Sequence, residues 1–240
     1  MIPDPNASSA SYPTNMPSSG GELTDAERTR FINARNGDED AARDMISAHL
    51  AWRAATLPLP ASAKLIGKGL PSYAAFLPNV RCNSGCQVLY VMGAMYDSSA
   101  GSGEEYTLAL TALFEDTVPR DSAEKFTVVV DVRGGDGWPN PRPWAVVPWV
   151  RAMANTLGPN YPERLNKLLV LPVPFMARAV WSAVSAFLDE TTAAKVSLLS
   201  GSASVRAGST RTSLPARALR DRAVDRARSL VSLACACPAL

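Results

Sequence analysis

Apolar residues run almost unbroken from Thr127 to Val132 and again from Leu168 to Leu171, the second run closed by Pro172 and Pro174. Runs of that length and β-branched content predict strands buried on both faces, as in a parallel sheet. Upstream, Tyr73–Arg81 and Val88–Met92 read as two further strands joined through Asn83-Ser84-Gly85, which is turn chemistry. Between the strand candidates the period changes. Tyr106, Leu108, Leu110, Leu113 and Phe114 predict a helix over Glu104–Val118, and Val150, Met153 and Leu157 continue a helix opened by Pro148 and stopped by Gly158-Pro159. Phe175, Ala179, Val180, Ala183, Val184, Phe187 and Leu188 recur at helical spacing, a short turn or helix carries Thr191, Thr192 and Lys195, and a last apolar stretch covers Val196–Leu199. Strands alternating with helices make this an α/β chain.

Before the first strand the pattern is helical. Thr24 and Glu27 form a capping box opening a helix to about Arg35, where Asn36-Gly37 stops it. Asp38 caps a second helix whose Ala42, Met45, Ile46, His49, Leu50 and Trp52 share one side. Residues 1–23 are rich in Ser, Pro, Asn and Gly with little aliphatic mass, so they are expected to stay disordered. The organisation that follows is a leader over 1–23, a helical element over 24–56, a main body over 57–200 and a tail over 201–240.

Charge divides the chain at the tail. The formal net charge of +2 conceals seven arginines against Asp221 and Asp225 in residues 201–240, a tail of +5 on a body of −3. The span Ala216–Leu233 is compatible with a basic amphipathic helix. Cys237-Pro238-Ala239-Leu240 has the outline of a prenylation signal and Cys235 could take a second chain, although Pro238 fits the aliphatic requirement poorly. The alternative for this end is a frayed, solvated tail. Cys82 and Cys86 are spaced C-x3-C, which is neither a disulfide framework nor a zinc spacing, so reduced cysteines and no metal are expected. No apolar run approaches the ~20 residues of a spanning helix. The expectation is a soluble or peripherally attached protein with no nucleic-acid partner.

Catalytic motifs are scarce. His49 is the single histidine and no Gly-x-Ser-x-Gly occurs, so triad chemistry has no basis; a hydrogen-bonded histidine at the rim of its helix is expected instead. Trp138 and Trp144 flank a proline-rich loop, where packing over the sheet edge is the expectation and contact with a bilayer interface the alternative.

Tyr161-Pro162-Glu163-Arg164, a strand ending at Pro172, a helix ending Phe187-Leu188 and Thr192-x-x-Lys195 before another strand resemble the CRAL-TRIO lipid-binding domain, its phosphatidylinositol-transfer branch most closely. Val128–Gly134 is similar to that family's strand ending in Asp-x-x-Gly. Phe31–Arg35 with Ala48–Arg53 is similar to its N-terminal helical element. The resemblance implies a sheet flanked by helices around a gated hydrophobic pocket, with no bond made or broken and no cofactor beyond the bound lipid. It implies a headgroup site at Arg35, Glu163, Arg164, Thr192 and Lys195, a pocket floor at Val128, Val130, Val132, Leu168 and Val170, and a lid carrying Phe175, Trp181 and Phe187. Partners would be a phospholipid, phosphatidylinositol or phosphatidylcholine, a transient membrane surface at the cytoplasmic face, and an unidentified protein such as a lipid kinase. Alternatives are a scaffold with a degenerate pocket, or a carrier of a retinoid or tocopherol. Two departures stand out: Asn36-Gly37 occupies the place of a basic and a large apolar residue, and Ala218-Leu219 follows Leu214-Pro215 where the family has glycines.

Overall fold

A computed structural model describes residues 23–59, 73–132, 141–171, 173 and 177–199. The disordered-leader reading, the basic tail with Cys235 and Cys237, Trp138 and Phe175 lie outside the described residues. Helices α1 (Asp25–Asn33) and α2 (Glu39–Thr56) precede strands β1 (Ala74–Arg81) and β2 (Gln87–Met92). Then come α3 (Gly103–Thr117), β3 (Phe126–Asp131), α4 (Val147–Asn160), β4 (Leu165–Leu171), α5 (Ala177–Ser185), α6 (Glu190–Ala194) and β5 (Val196–Leu198).

The caps are those the sequence specifies. Thr24 accepts the Glu27 N–H at 3.2 Å while Glu27 accepts the Thr24 N–H at 3.0 Å, and Asp38 accepts from Ala41 at 3.0 Å. Between α1 and α2 the chain turns through Asn36 at φ 54° and Gly37 at φ 86°. Two successive left-handed residues suit asparagine and glycine and strain larger side chains, which accounts physically for the departure at these positions.

The five strands lie in the order β1-β2-β3-β4-β5, with β1 antiparallel to β2 and the rest parallel. Each parallel step needs a crossover, supplied in turn by α3, α4 and the α5–α6 pair. Because β3 alternates inside the sheet, Val128 falls on one face with Leu89, Val91, Tyr106, Leu110, Phe114 and Trp149, while Val129 falls on the other with Val88, Tyr90, Leu169 and Leu171. The first face is covered by α3 and α4. These helices approach so closely that a Cβ on Gly103 would sit 2.8 Å from the Trp149 Cα, so a glycine is required there.

Three expectations need correction. His49 is not at a rim: it is 2% exposed, stacked on Trp52 with the tilted ring of Phe31 also against it, because the second helix packs onto the body. Trp144 does not pack over the sheet edge; it is 58% exposed in a 3-10 turn (Pro143–Val146) whose geometry gives the inward place to Trp149. Helix α4 runs through Gly158-Pro159 to Asn160, where Tyr161 N–H still reaches the Leu157 carbonyl at 2.8 Å.

Candidate functional site

Lys125 and Lys195 stand immediately before β3 and β5, and Glu163 two residues before β4, so the parallel register gathers them along the amino edge of the sheet. Glu163 accepts from Lys125 at 2.9 Å and forms a longer ion pair with Lys195 at 3.6 Å. Lys195 terminates α6, and its carbonyl accepts the Leu168 N–H at 3.0 Å, which fixes its backbone against β4. Glu163 itself sits at φ 58°, left-handed without being glycine, a geometry that costs about 1–2 kcal/mol and is characteristic of functional turns. The hydrogen bond from Lys125 holds its carboxyl below the ordinary range, against burial, with Lys195 adding to the effect. One carboxylate faces two ammonium groups. Lys195 and Glu163 are partly withdrawn from water, their side chains 22% and 23% exposed, whereas that of Lys125 is 43% exposed, and Asp189 at the start of α6 also interacts with the Lys195 charge. The free donor positions of two lysines gathered this way are of the kind that bind anions.

Arg164 goes elsewhere. Its guanidinium, 3% exposed, donates to the carbonyls of Pro119, Arg120, Ser122 and Glu124 at 2.6–3.4 Å. Arg30, from α1, shares two of these acceptors, Ser122 at 2.6 Å and Arg120 at 2.9 Å. Burial, with Arg30 beside it, pushes the Arg164 pKa down to about 10. Glu163 and Arg164 are adjacent and alternate in direction, so the first joins the lysine pair and the second straps the loop before β3. Arg35 is exposed at the turn between α1 and α2. Thr192 lies one turn before Lys195, its backbone N–H capped by Asp189 at 2.8 Å. Of the five residues expected at a headgroup site, the structure thus brings Glu163 and Lys195 into contact, with Thr192 on the same short helix. Lys125 was missed by sequence reasoning. The signal was available: it is the charged residue preceding β3, as Arg164 precedes β4 and Lys195 precedes β5.

Behind Arg164 is a second charged group, between the N-terminal helices and the body. Arg120 is bidentate to Glu27 at 2.8 Å, Arg53 is bidentate to Glu115 at 2.9 and 3.0 Å, and Tyr161 donates to Glu115 at 2.7 Å. Burial pushes the Glu27 and Glu115 carboxyls up, but the bonds from Arg120 and from Arg53 and Tyr161 outweigh it and leave both below their usual range. His49 Nδ1 donates to Asn160 at 3.0 Å, and burial holds the ring pKa below its ordinary value despite that bond. These groups line a cavity of about 20 Å³, room for a single water. It is a structural joint, too small for a headgroup.

The hydrophobic residues divide as well. Val128, Val130 and Leu168 belong to the packed cluster under α3 and α4. Val132, Val170, Trp181 and Phe187 are half-buried, belong to neither core cluster, and lie toward the carboxyl ends of the strands and on or after α5. Arg151 of α4 stands over the Phe187 ring at 5.3 Å. Among the described residues no helix is long and apolar enough to cross a membrane, and no group of His, Cys, Asp and Glu is placed to hold a metal.

A sequence profile described as the CRAL/TRIO domain matches residues 72–216. Among 36 matching solved chains is a crystal structure of Sfh5, similar to this chain with 18% identity and a TM-score of 0.58. That match covers 73% of this chain and spans 64% of the length of the other. No curated protein matches the chain.

Proposed function

This chain belongs to the CRAL/TRIO domain family, and from that premise we propose that it binds a phospholipid and exchanges it between membranes without chemical turnover. Membership supports lipid binding in general; the headgroup and the exchange step are our reading. The observation that carries it is the trio of Lys125, Glu163 and Lys195, where one carboxylate is shared by a half-buried ammonium group, that of Lys195, and an exposed one, that of Lys125. A phosphodiester would offer these lysines further negative charge and acceptor oxygens. Helix α5 stands at the opposite end of β4. Seven residues of strand span about 23 Å, enough to run alongside the ~15 Å acyl depth of one leaflet. In this reading α5, with Trp181 and Phe187, is the element that moves to admit the chains, and Val132 and Val170 meet them first. With Asn36 in place of the family's basic residue, this reading is of a phosphodiester lipid without an inositol-specific grip.

Native mass spectrometry of the purified full chain, followed by organic extraction, tests this. The expected result is a co-purifying phospholipid that disappears in Lys195→Ala and in Lys125→Ala while the fold persists. A folded protein carrying no lipid, or an extract containing only a neutral hydrophobic molecule unaffected by either substitution, refutes it.

A further inference from the structure

At the end of the β1–β2 hairpin, Cys82 and Cys86 face each other across a three-residue turn, and we infer that they form a reversible dithiol–disulfide site whose oxidant is a low-molecular-weight disulfide such as oxidised glutathione. The pairing of Arg81 with Gln87 makes Cys82 and Cys86 the next antiparallel pair, and Cys82 N–H donates to the Cys86 carbonyl at 3.0 Å. Facing residues of such a pair have Cα atoms about 5.5 Å apart, inside the ~4.4–6.8 Å that disulfides span. Both side chains leave the hairpin on the same side. The Ser84 hydroxyl is 3.0 Å from one sulfur and 3.5 Å from the other, so the sulfurs stand no further apart than those two reaches laid end to end.

The two thiols are unequal in a way that orders the chemistry. Cys86 is half-buried and meets the reagent, whereas Cys82 is 7% exposed beneath it. Burial pushes the Cys82 thiol up, but hydrogen bonding from Ser84, Thr127 and the turn's own amides overrides it and brings the thiol down to about 7. Asn166, at the start of β4, steadies this end, donating to Ser84 and to Thr127 at 3.0 Å and lying 4.0 Å from the Cys82 sulfur. The Cys86 thiolate attacks one sulfur of glutathione disulfide, forms a mixed disulfide and releases one glutathione thiolate. The Cys82 thiolate then attacks the Cys86 sulfur and releases the second. Each protein thiol gives up one proton, the two sulfurs lose two electrons together, and one glutathione disulfide becomes two glutathiones.

The test uses the full chain with Cys235→Ser and Cys237→Ser, which leaves these two thiols alone. Titration with a glutathione redox buffer should produce a species lighter by two hydrogens, a linked Cys82–Cys86 peptide on digestion, and full return with dithiothreitol. Cys82→Ser should stop at a glutathione adduct on Cys86. The same titration in urea separates folded geometry from sequence proximity, and the equilibrium constant should be about tenfold larger in the folded protein. Equal constants in the two conditions, or accumulation of glutathione adducts without a bridge, would overturn the inference whatever the serine variant does.

Discussion

Arg164→Ala should unstrap the body of the protein, not empty a binding site. Its guanidinium holds four carbonyls, but those of Arg120 and Ser122 keep their bonds from Arg30, leaving Pro119 and Glu124 as the acceptors that lose a charged donor. Hydrogen bonds to charged groups contribute about 1.5–3 kcal/mol each, so two of them give about 3–6 kcal/mol. Removing the side chain also relieves the desolvation that presses its pKa down to about 10. That relief holds the net loss near the lower figure, about 3 kcal/mol, a large part of a typical margin of about 5–15 kcal/mol. At this chain length the midpoint of thermal unfolding should fall by about 6–12 °C. Lys195→Ala is the contrast. Its pair with Glu163 is long and partly solvated, worth at most about 1 kcal/mol, so the midpoint should barely move while the phospholipid is lost. Differential scanning calorimetry with lipid analysis of the same samples reads both. An Arg164→Ala protein that melts with the wild type yet has lost its lipid would show that the arginine touches the ligand and that the carbonyl strap carries no weight.

Acid should destabilise the protein in two separate windows. His49 has its folded pKa below the unfolded value, so the unfolded chain binds the extra proton and stability falls as pH drops below about 6.5; His49→Gln should flatten the midpoint just below that pH. Glu27 and Glu115 are depressed carboxyls, so their contribution is present above about pH 4.5 and is lost as pH falls through their folded values; it should survive in His49→Gln and disappear only at lower pH. Gly103→Ala forces a Cβ onto the Trp149 backbone and should cost about 1–3 kcal/mol in urea denaturation, a neutral result meaning that α3 and α4 are free to separate. Asn36→Lys, which places a basic residue after Arg35, should cost about 1 kcal/mol through its left-handed backbone; a stabilised variant would show that the turn can change conformation.

Much of this architecture could be read from local chemistry. Caps at Thr24 and Asp38, the turn at Asn83-Ser84-Gly85 and the apolar runs that became β3 and β4 are short-range signals, and short-range physics determines them. The candidate site was only half legible. Glu163 and Arg164 are neighbours in one motif, and nothing in their order tells which reaches the lysines and which turns into the loop before β3. That depends on where the Pro119–Glu124 carbonyls stand, a long-range fact. Lys125 was overlooked because its role comes from strand order, which places the residues ahead of β3, β4 and β5 side by side. His49 misled for a related reason. An apolar stripe shows that a helix packs, but Asn160, which makes the buried ring tolerable, is more than a hundred residues away.

The match to the family profile begins at residue 72, yet side chains that secure the body are found as early as Glu27. Similarity and cooperativity therefore have different frontiers. A polypeptide cut where the profile match starts would leave Glu115, Asn160 and Arg120 facing water across a surface shaped for two absent helices. What looks like a preface is part of the unit that melts, and any grafting or shortening of this domain has to carry it along.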